Sequence, residues 1–184
     1  MSERWLPSVE DVKQFFFEVA LLEVSDCYQL ASMSKDRPGF IVFEHTRGDL
    51  RYQDSFAPAL APVVRKRFSG QTIIWYDETP VWVMNYDGVI QTDEPVAEFV
   101  REALASMYQK RSFPRPGEEE YVREPYVFFY NPPRPPLQHR EDFQRLCNFH
   151  SVFRIKAPKG QATRTALYRR NYRSQWLLTE ADSS

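Results

Sequence analysis

The chain has 184 residues, 42% hydrophobic and 15% aromatic, with a formal net charge of −1. That is enough apolar material for a packed core, in one domain or two closely packed halves. A near-neutral balance supplies no global field toward nucleic acid or membrane, and no apolar run approaches the roughly 18 residues of a spanning helix.

The opening Met1-Ser-Glu-Arg-Trp-Leu-Pro7 lacks a basic region followed by an apolar core, so no secretory leader is expected. Ser8 with an acid at Asp11 reads as a helix N-cap. A helix is expected from about Val9 to Val24, with Val12, Phe15, Phe16, Val19 and Leu22 as its apolar stripe. Ser25 to Pro38 is polar and reads as a loop, with room for a helical turn near Tyr28 to Met33. Phe40 to His45 and Leu50 to Phe56 are strands about an Arg47-Gly48-Asp49 turn. Ala57 to Pro62 is a proline-broken connection.

Phe68 to Ile90 is the central hairpin. Gln71 to Tyr76 and Val81 to Tyr86 are its strands, Asp77 to Pro80 its turn, and Asp87-Gly88 a further turn or bulge. Both strands are apolar on both faces, which predicts two-sided burial. Thr92 to Pro95 starts a second helix, Val96 to Gln109, with Phe99, Val100, Ala103, Leu104 and Met107 on its apolar face. Ser112 to Glu120 is an exposed connection, Tyr126 to Tyr130 a strand, and Asn131 to Pro136 a stiff extended loop. Arg140 to Cys147 is ambiguous. Ser151 to Ala157 and Ala162 to Leu178 are two more strands, and 179–184 a flexible tail.

Two halves, 8–91 and 92–178, echo each other. Val12, Phe15 and Glu18 recur as Val96, Phe99 and Glu102 at an offset of 84. Phe40 to Phe43 recur in character as Tyr126 to Phe129, and Trp82 and Tyr86 as Tyr168 and Tyr172, at an offset of 86. Chance similarity among common apolar residues is the alternative to a duplication. The expected fold is α+β: two degenerate helix–four-strand halves forming a largely antiparallel sheet with helices packed on it.

Gly48-Asp-Leu-Arg-Tyr52, Phe68-Ser-Gly70, Ile74-Trp75 and Pro80-Val-Trp-x-Met-Asn-Tyr-x-Gly88 follow in a recognisable order, with Phe99 and Ala103-Leu104 behind them. Over Gly48 to Leu104 the chain resembles an uncharacterised bacterial domain family, some members of which are fused behind a helix-turn-helix in regulator-like proteins. The resemblance implies a bacterial, intracellular protein and brings no activity. The family's second hairpin ends in a tyrosine followed by glycines, whereas this chain has Tyr172-Arg-Ser-Gln-Trp176.

Two constellations carry binding chemistry. Tyr52, Trp75, Trp82 and Tyr86 supply rings for a ligand pocket, with Asn85, Asp49 and Asp54 as convergent polar groups; ordinary core packing is the alternative. Between Arg140 and Trp176 nine basic residues face two acids. Arg154, Lys156, Lys159, Arg164, Arg169, Arg170 and Arg173, interleaved with Tyr168 and Tyr172, suit single-stranded nucleic acid, with a solvated strand face as the alternative. Catalysis has little to rest on. His45, His139 and His150 lack metal spacing, Cys147 with His150 is a weak pair, and no phosphate loop is present. Cys27 and Cys147 read as free thiols, with a disulfide as the alternative. No cofactor, metal or membrane partner is expected. The reading is a non-enzymatic cytoplasmic domain that binds a partner protein or small ligand with a regulatory role. Nucleic-acid binding, or an enzyme with an unrecognised site, are the alternatives.

Overall fold

A computed structural model describes residues 6–57, 66–91, 96–111, 120–131, 147–156 and 163–178. Helix α1 (Val9–Leu30) starts as its cap predicts. The Asp11 amide donates to the Ser8 hydroxyl at 3.1 Å, and the Ser8 amide donates back to the Asp11 carboxylate at 3.1 Å. The Ser8 hydroxyl, donating to the Asp11 carboxylate at 2.6 Å, and then the Ser8 amide hold that carboxyl below its usual range. The helix then runs past Val24 to Leu30, through the stretch read as a loop. Polarity alone does not end a helix, and the first breaker is Pro38-Gly39.

Strand β1 (Ser32–Met33) leads to the hairpin of β2 (Ile41–Arg47) and β3 (Leu50–Ala57), turned at Gly48 with φ 58°. The central hairpin is β4 (Lys66–Tyr76) and β5 (Thr79–Ile90), longer than the sequence predicts. Its turn shrinks to Asp77-Glu78. Asp77 takes φ 54° and donates its amide to the Asp49 carbonyl at 2.8 Å. Helix α2 (Val96–Gln109) has its expected bounds. Then come β6 (Glu120–Arg123), which the sequence reading missed, β7 (Tyr126–Asn131), β8 (Cys147–Lys156) and β9 (Thr163–Trp176). The expected stiff loop at 132–136 and the ambiguous segment 140–146 lie outside the described residues, as does the tail.

Among the described residues nine strands form one antiparallel sheet, ordered β1-β2-β3-β4-β5-β9-β8-β7-β6. The fold is α+β. The seam is β5 on β9, where Tyr86 faces Tyr172, Trp82 faces Trp176 and Ile90 faces Tyr168. Both helices pack on one face. Phe16 and Phe17 of α1 contact Tyr108 near the end of α2, so the helices run antiparallel. Phe16 also meets Trp82 edge-on, with ring centroids 5.0 Å apart.

The expected two-sided burial of the hairpin is not observed. Tyr52, Ile74, Trp82 and Met84 are buried on the inner face, while Asn85, Asp87, Arg169 and Arg173 are exposed on the outer. The outer face is tied by polar pairs, Gln71 to Asn85 at 2.8 Å and Asn171 to Asp87 at 3.0 Å. Half-buried Ile73 and Trp75 made this face look like core in the sequence. Trp75 instead carries the Arg51 guanidinium, 4.2 Å from its ring centroid.

Two arginines each stand between a helix glutamate and a helix phenylalanine. Arg47 pairs with Glu18 and lies 5.0 Å from the Phe15 ring centroid; Arg123 pairs with Glu102 and lies 5.8 Å from that of Phe99.

Gly88 sits inside β5 rather than at a turn. It faces Phe68 across the ladder, and Gly70 faces Tyr86. Each ring lies over its glycine: a Cβ on Gly88 would fall 2.2 Å from the Phe68 ring and 2.4 Å from the Arg169 carbonyl oxygen. Gly88→Ala is therefore expected to cost about 3 kcal/mol, at the upper end for overpacking, because a ladder carbonyl cannot retreat as a side chain can. Urea denaturation measures it, and an unchanged midpoint would show that the ring does not lie there.

Candidate functional site: a lined cavity between the helices and the sheet

The antiparallel helices leave space where the later turns of α1 face the first turns of α2. A cavity of about 250 Å³ lies there, floored by β3, β4, β5 and β9. Its walls are mostly apolar, with Val96, Val100 and Leu104 from α2 and Phe56, Phe68 and Ile90 from the sheet. Strand alternation aims every second floor residue into it.

Three charged groups converge among these walls. Asp54 is only 3% exposed, and its carboxylate is held from two sides. The Thr72 hydroxyl donates to Oδ1 at 2.7 Å and the Tyr86 hydroxyl to Oδ2 at 2.6 Å. Glu23 comes down from α1 and accepts the Tyr52 hydroxyl at 2.6 Å. Glu23 as a whole keeps some solvent exposure, but its carboxyl is densely surrounded by protein and bonds the Asp54 carboxyl. Two neighbouring carboxyls in a dry site resist carrying two charges at once. Burial, then the Asp54 charge, pushes the Glu23 carboxyl well above its usual range. Burial likewise pushes the Tyr52 and Tyr86 hydroxyls well up, so both act as donors at neutral pH.

Arg170 enters from β9. Its guanidinium carbon lies 3.8 Å from the Tyr86 ring centroid and 4.7 Å from that of Tyr172, and its side chain bonds the Tyr168 hydroxyl. Burial alone would lower its pKa. The surrounding tyrosines more than offset this, so Arg170 stays charged. Its Nε is sealed from solvent and has no hydrogen-bond partner among the described residues.

The arrangement can keep a carboxyl protonated beside a fixed cation and present both to an apolar space. Among the described residues the cavity lining holds no histidine, cysteine, serine or lysine; its groups able to exchange protons are the Glu23 and Asp54 carboxyls and the tyrosine hydroxyls. No group of three metal-ligating side chains occurs among the described residues.

The ring pocket expected from sequence is divided by the sheet. Tyr52 and Tyr86 line the cavity, and Trp82 is core beside it. Trp75 and Asn85 lie on the opposite face. The basic stretch divides too. Arg169 and Arg173 are exposed outside, while Tyr168, Arg170 and Tyr172 face inward, so cations and rings do not share a surface. Arg154 and Lys156 lie in β8 and Arg164 in β9, whereas Lys159 lies outside the described residues. Cys147 and His150 lie on a strand, without the helical spacing that would bring them together, and Cys27 lies in α1.

Asp54 was expected among the polar groups of the pocket and lines the cavity, whereas Glu23, and Arg170 as an inward cation, were missed by sequence reasoning. Their signals were present. Glu23 follows Val12, Phe16 and Val19 on the apolar stripe of α1, and Arg170 stands midway between two buried tyrosines on one strand face.

A carboxyl whose folded pKa is raised binds more protons folded than unfolded. Its stabilising effect is full below the ordinary value of 4.5 and is lost as pH rises through the folded value. The chain is therefore expected to lose thermal stability as pH rises above about that point. Glu23→Gln, which keeps a donor and cannot ionise, should flatten the decline. Unfolding midpoints across pH for both proteins check this; parallel curves would place the proton elsewhere.

Comparison with known proteins gives one similarity. No curated protein and no solved structure matches the chain. The family model of a domain of unknown function (DUF5680) matches residues 63–132, from the approach to β4 through the central hairpin and α2 to the end of β7. This agrees with the resemblance of the hairpin region to an uncharacterised family, and shifts its extent toward the C-terminus.

Proposed function

We propose that the chain is a non-enzymatic binding domain for a small, largely apolar molecule held in the cavity between the helices and the sheet. One observation carries this reading: about 250 Å³ of mostly apolar space into which Glu23, Asp54 and Arg170 converge. A protein keeps charged groups beside an apolar void at a cost, and ligand sites are where such walls and a few convergent polar groups occur together. A small ligand is favoured over a partner protein because the converging groups lie within the fold. A regulatory role would follow from α1 and α2 both touching the occupant, since occupancy then biases their packing. The nucleic-acid alternative lacks comparable support, because the outward cations Arg169 and Arg173 lie on the face opposite the rings.

We also read the chain as a duplicated, bacterial, cytoplasmic protein. The bacterial and cytoplasmic parts rest on the family resemblance; no helix among the described residues is long and apolar enough to cross a membrane. The duplication is supported by a strand order symmetric about the β5–β9 seam and by the paired Arg–Glu–Phe arrangements. Register supports it as well. At an offset of 86, the pair Trp82–Trp176 maps onto Tyr168–Ile90. One correspondence needs changing: in sheet order β7 matches β3, not β2.

Binding is testable with a neutral probe. 1-Octanol titrated into ¹⁵N-labelled protein should shift amides of Thr72, Tyr86 and Val100 together. Val100→Trp, which places an indole in the cavity, should abolish the shifts while the protein stays folded. A cavity that takes up neither this probe nor its charged analogues would sink the proposal.

A further inference from the structure

Resting on that reading, we infer that the occupant is an apolar monocarboxylate, its body along the α2 wall and its carboxylate on the Nε–H of Arg170.

The argument is one of unfilled hydrogen-bonding capacity. On the carboxylate side the sites are taken. Glu23 accepts from Tyr52, Asp54 accepts from Thr72 and Tyr86, and the two carboxyls bond each other. A ligand donor arriving there must displace a bond already made. Arg170 is in the opposite condition. The faces of Tyr86 and Tyr172 meet its charge, but a ring face is a weak acceptor, and Nε has no partner among the described residues. A sealed donor without an acceptor is costly, and an arginine fork matches a carboxylate in geometry and charge. The missing group is therefore an acceptor.

Charge points the same way: an anionic head is attracted to the Arg170 guanidinium, whereas an ammonium is repelled by it. The volume is also modest. At about 30 Å³ per water in the liquid it equals roughly eight waters, room for an aryl or medium-chain acid and too little for a nucleotide or a long lipid.

Octanoate, 1-octanol and octylamine share a chain and differ in head, so they separate the head from the cavity. At pH 7, calorimetric titration of the full chain should find octanoate bound at least about tenfold more tightly than octanol, and octylamine weakest. Octanoate, and not octanol, should move the Arg170 Nε–H resonance. Arg170→Gln should bring octanoate to the level of octanol. The wild-type series decides the matter even where that variant does not fold. Octanol binding as tightly as octanoate overturns the carboxylate and leaves the cavity reading standing. Failure of all three overturns both.

Discussion

Among the described residues, two helices lie on one face of a nine-stranded sheet. At about 4.8 Å between neighbouring strands the sheet is close to 40 Å across, and each helix with its side chains covers about 10–12 Å. Beside the helices, large residues on the sheet itself fill space. This is why the inner face is so aromatic, with Tyr52, Trp82, Tyr86, Tyr168 and Tyr172 clustered around the β5–β9 seam. It is also why Gly70 and Gly88 stand where they do. A ring can fold flat over its cross-strand neighbour only where that neighbour has no side chain. Rings laid down in this way fill space near the sheet, and the cavity lies among them, the later turns of α1 and the first turns of α2.

The polar groups at that void follow from the same geometry. Asp54 stands on the buried face of β3, where an ionised carboxylate is intolerable without donors. Thr72 supplies one from the next strand and Tyr86 another from the strand beyond, each at the height its register dictates. Tyr86 therefore has three tasks. It fills space over Gly70, bonds Asp54 with its hydroxyl, and offers its ring to Arg170. Packing and electrostatics are joined at one side chain, so the charge state of the cavity and the seam of the sheet cannot vary independently.

The sequence was legible where local chemistry and tertiary burial agree. Alternation, turn residues and caps marked β2 to β5, and the bounds of α2 came directly from Thr92 to Pro95 and its apolar stripe. It misled where composition stands in for geometry. The run from Ser25 to Leu30 is polar without being a breaker, and it stayed helical. Ile73 and Trp75 are apolar yet face outward, where neighbours in the strand ladder half-bury them. Asp87-Gly88 resembles a turn, but the glycine answers to Phe68 across the ladder, a contact no local pattern encodes. For the site, Tyr52 and Tyr86 were legible as rings with polar handles. Glu23 was not singled out and Arg170 was read as part of an outward basic face, because a charge on an apolar stripe reads as a boundary or a solvated face until the partner that neutralises it is known.

Taken with the duplicated reading, the site lies where the halves differ. The offset of 84 that carries Phe15 to Phe99 carries Glu23 to Met107, and the offset of 86 that carries Tyr86 to Tyr172 carries Met84 to Arg170. Met107 and Met84 are buried and apolar. On that reading, Glu23 and Arg170 each answer to a methionine in the other half, a side chain that fills irregular space without polar demands. Two glutamates or two arginines near the pseudo-axis would repel each other in a low dielectric. Unequal halves would avoid that repulsion and set an acid opposite a cation across an apolar gap.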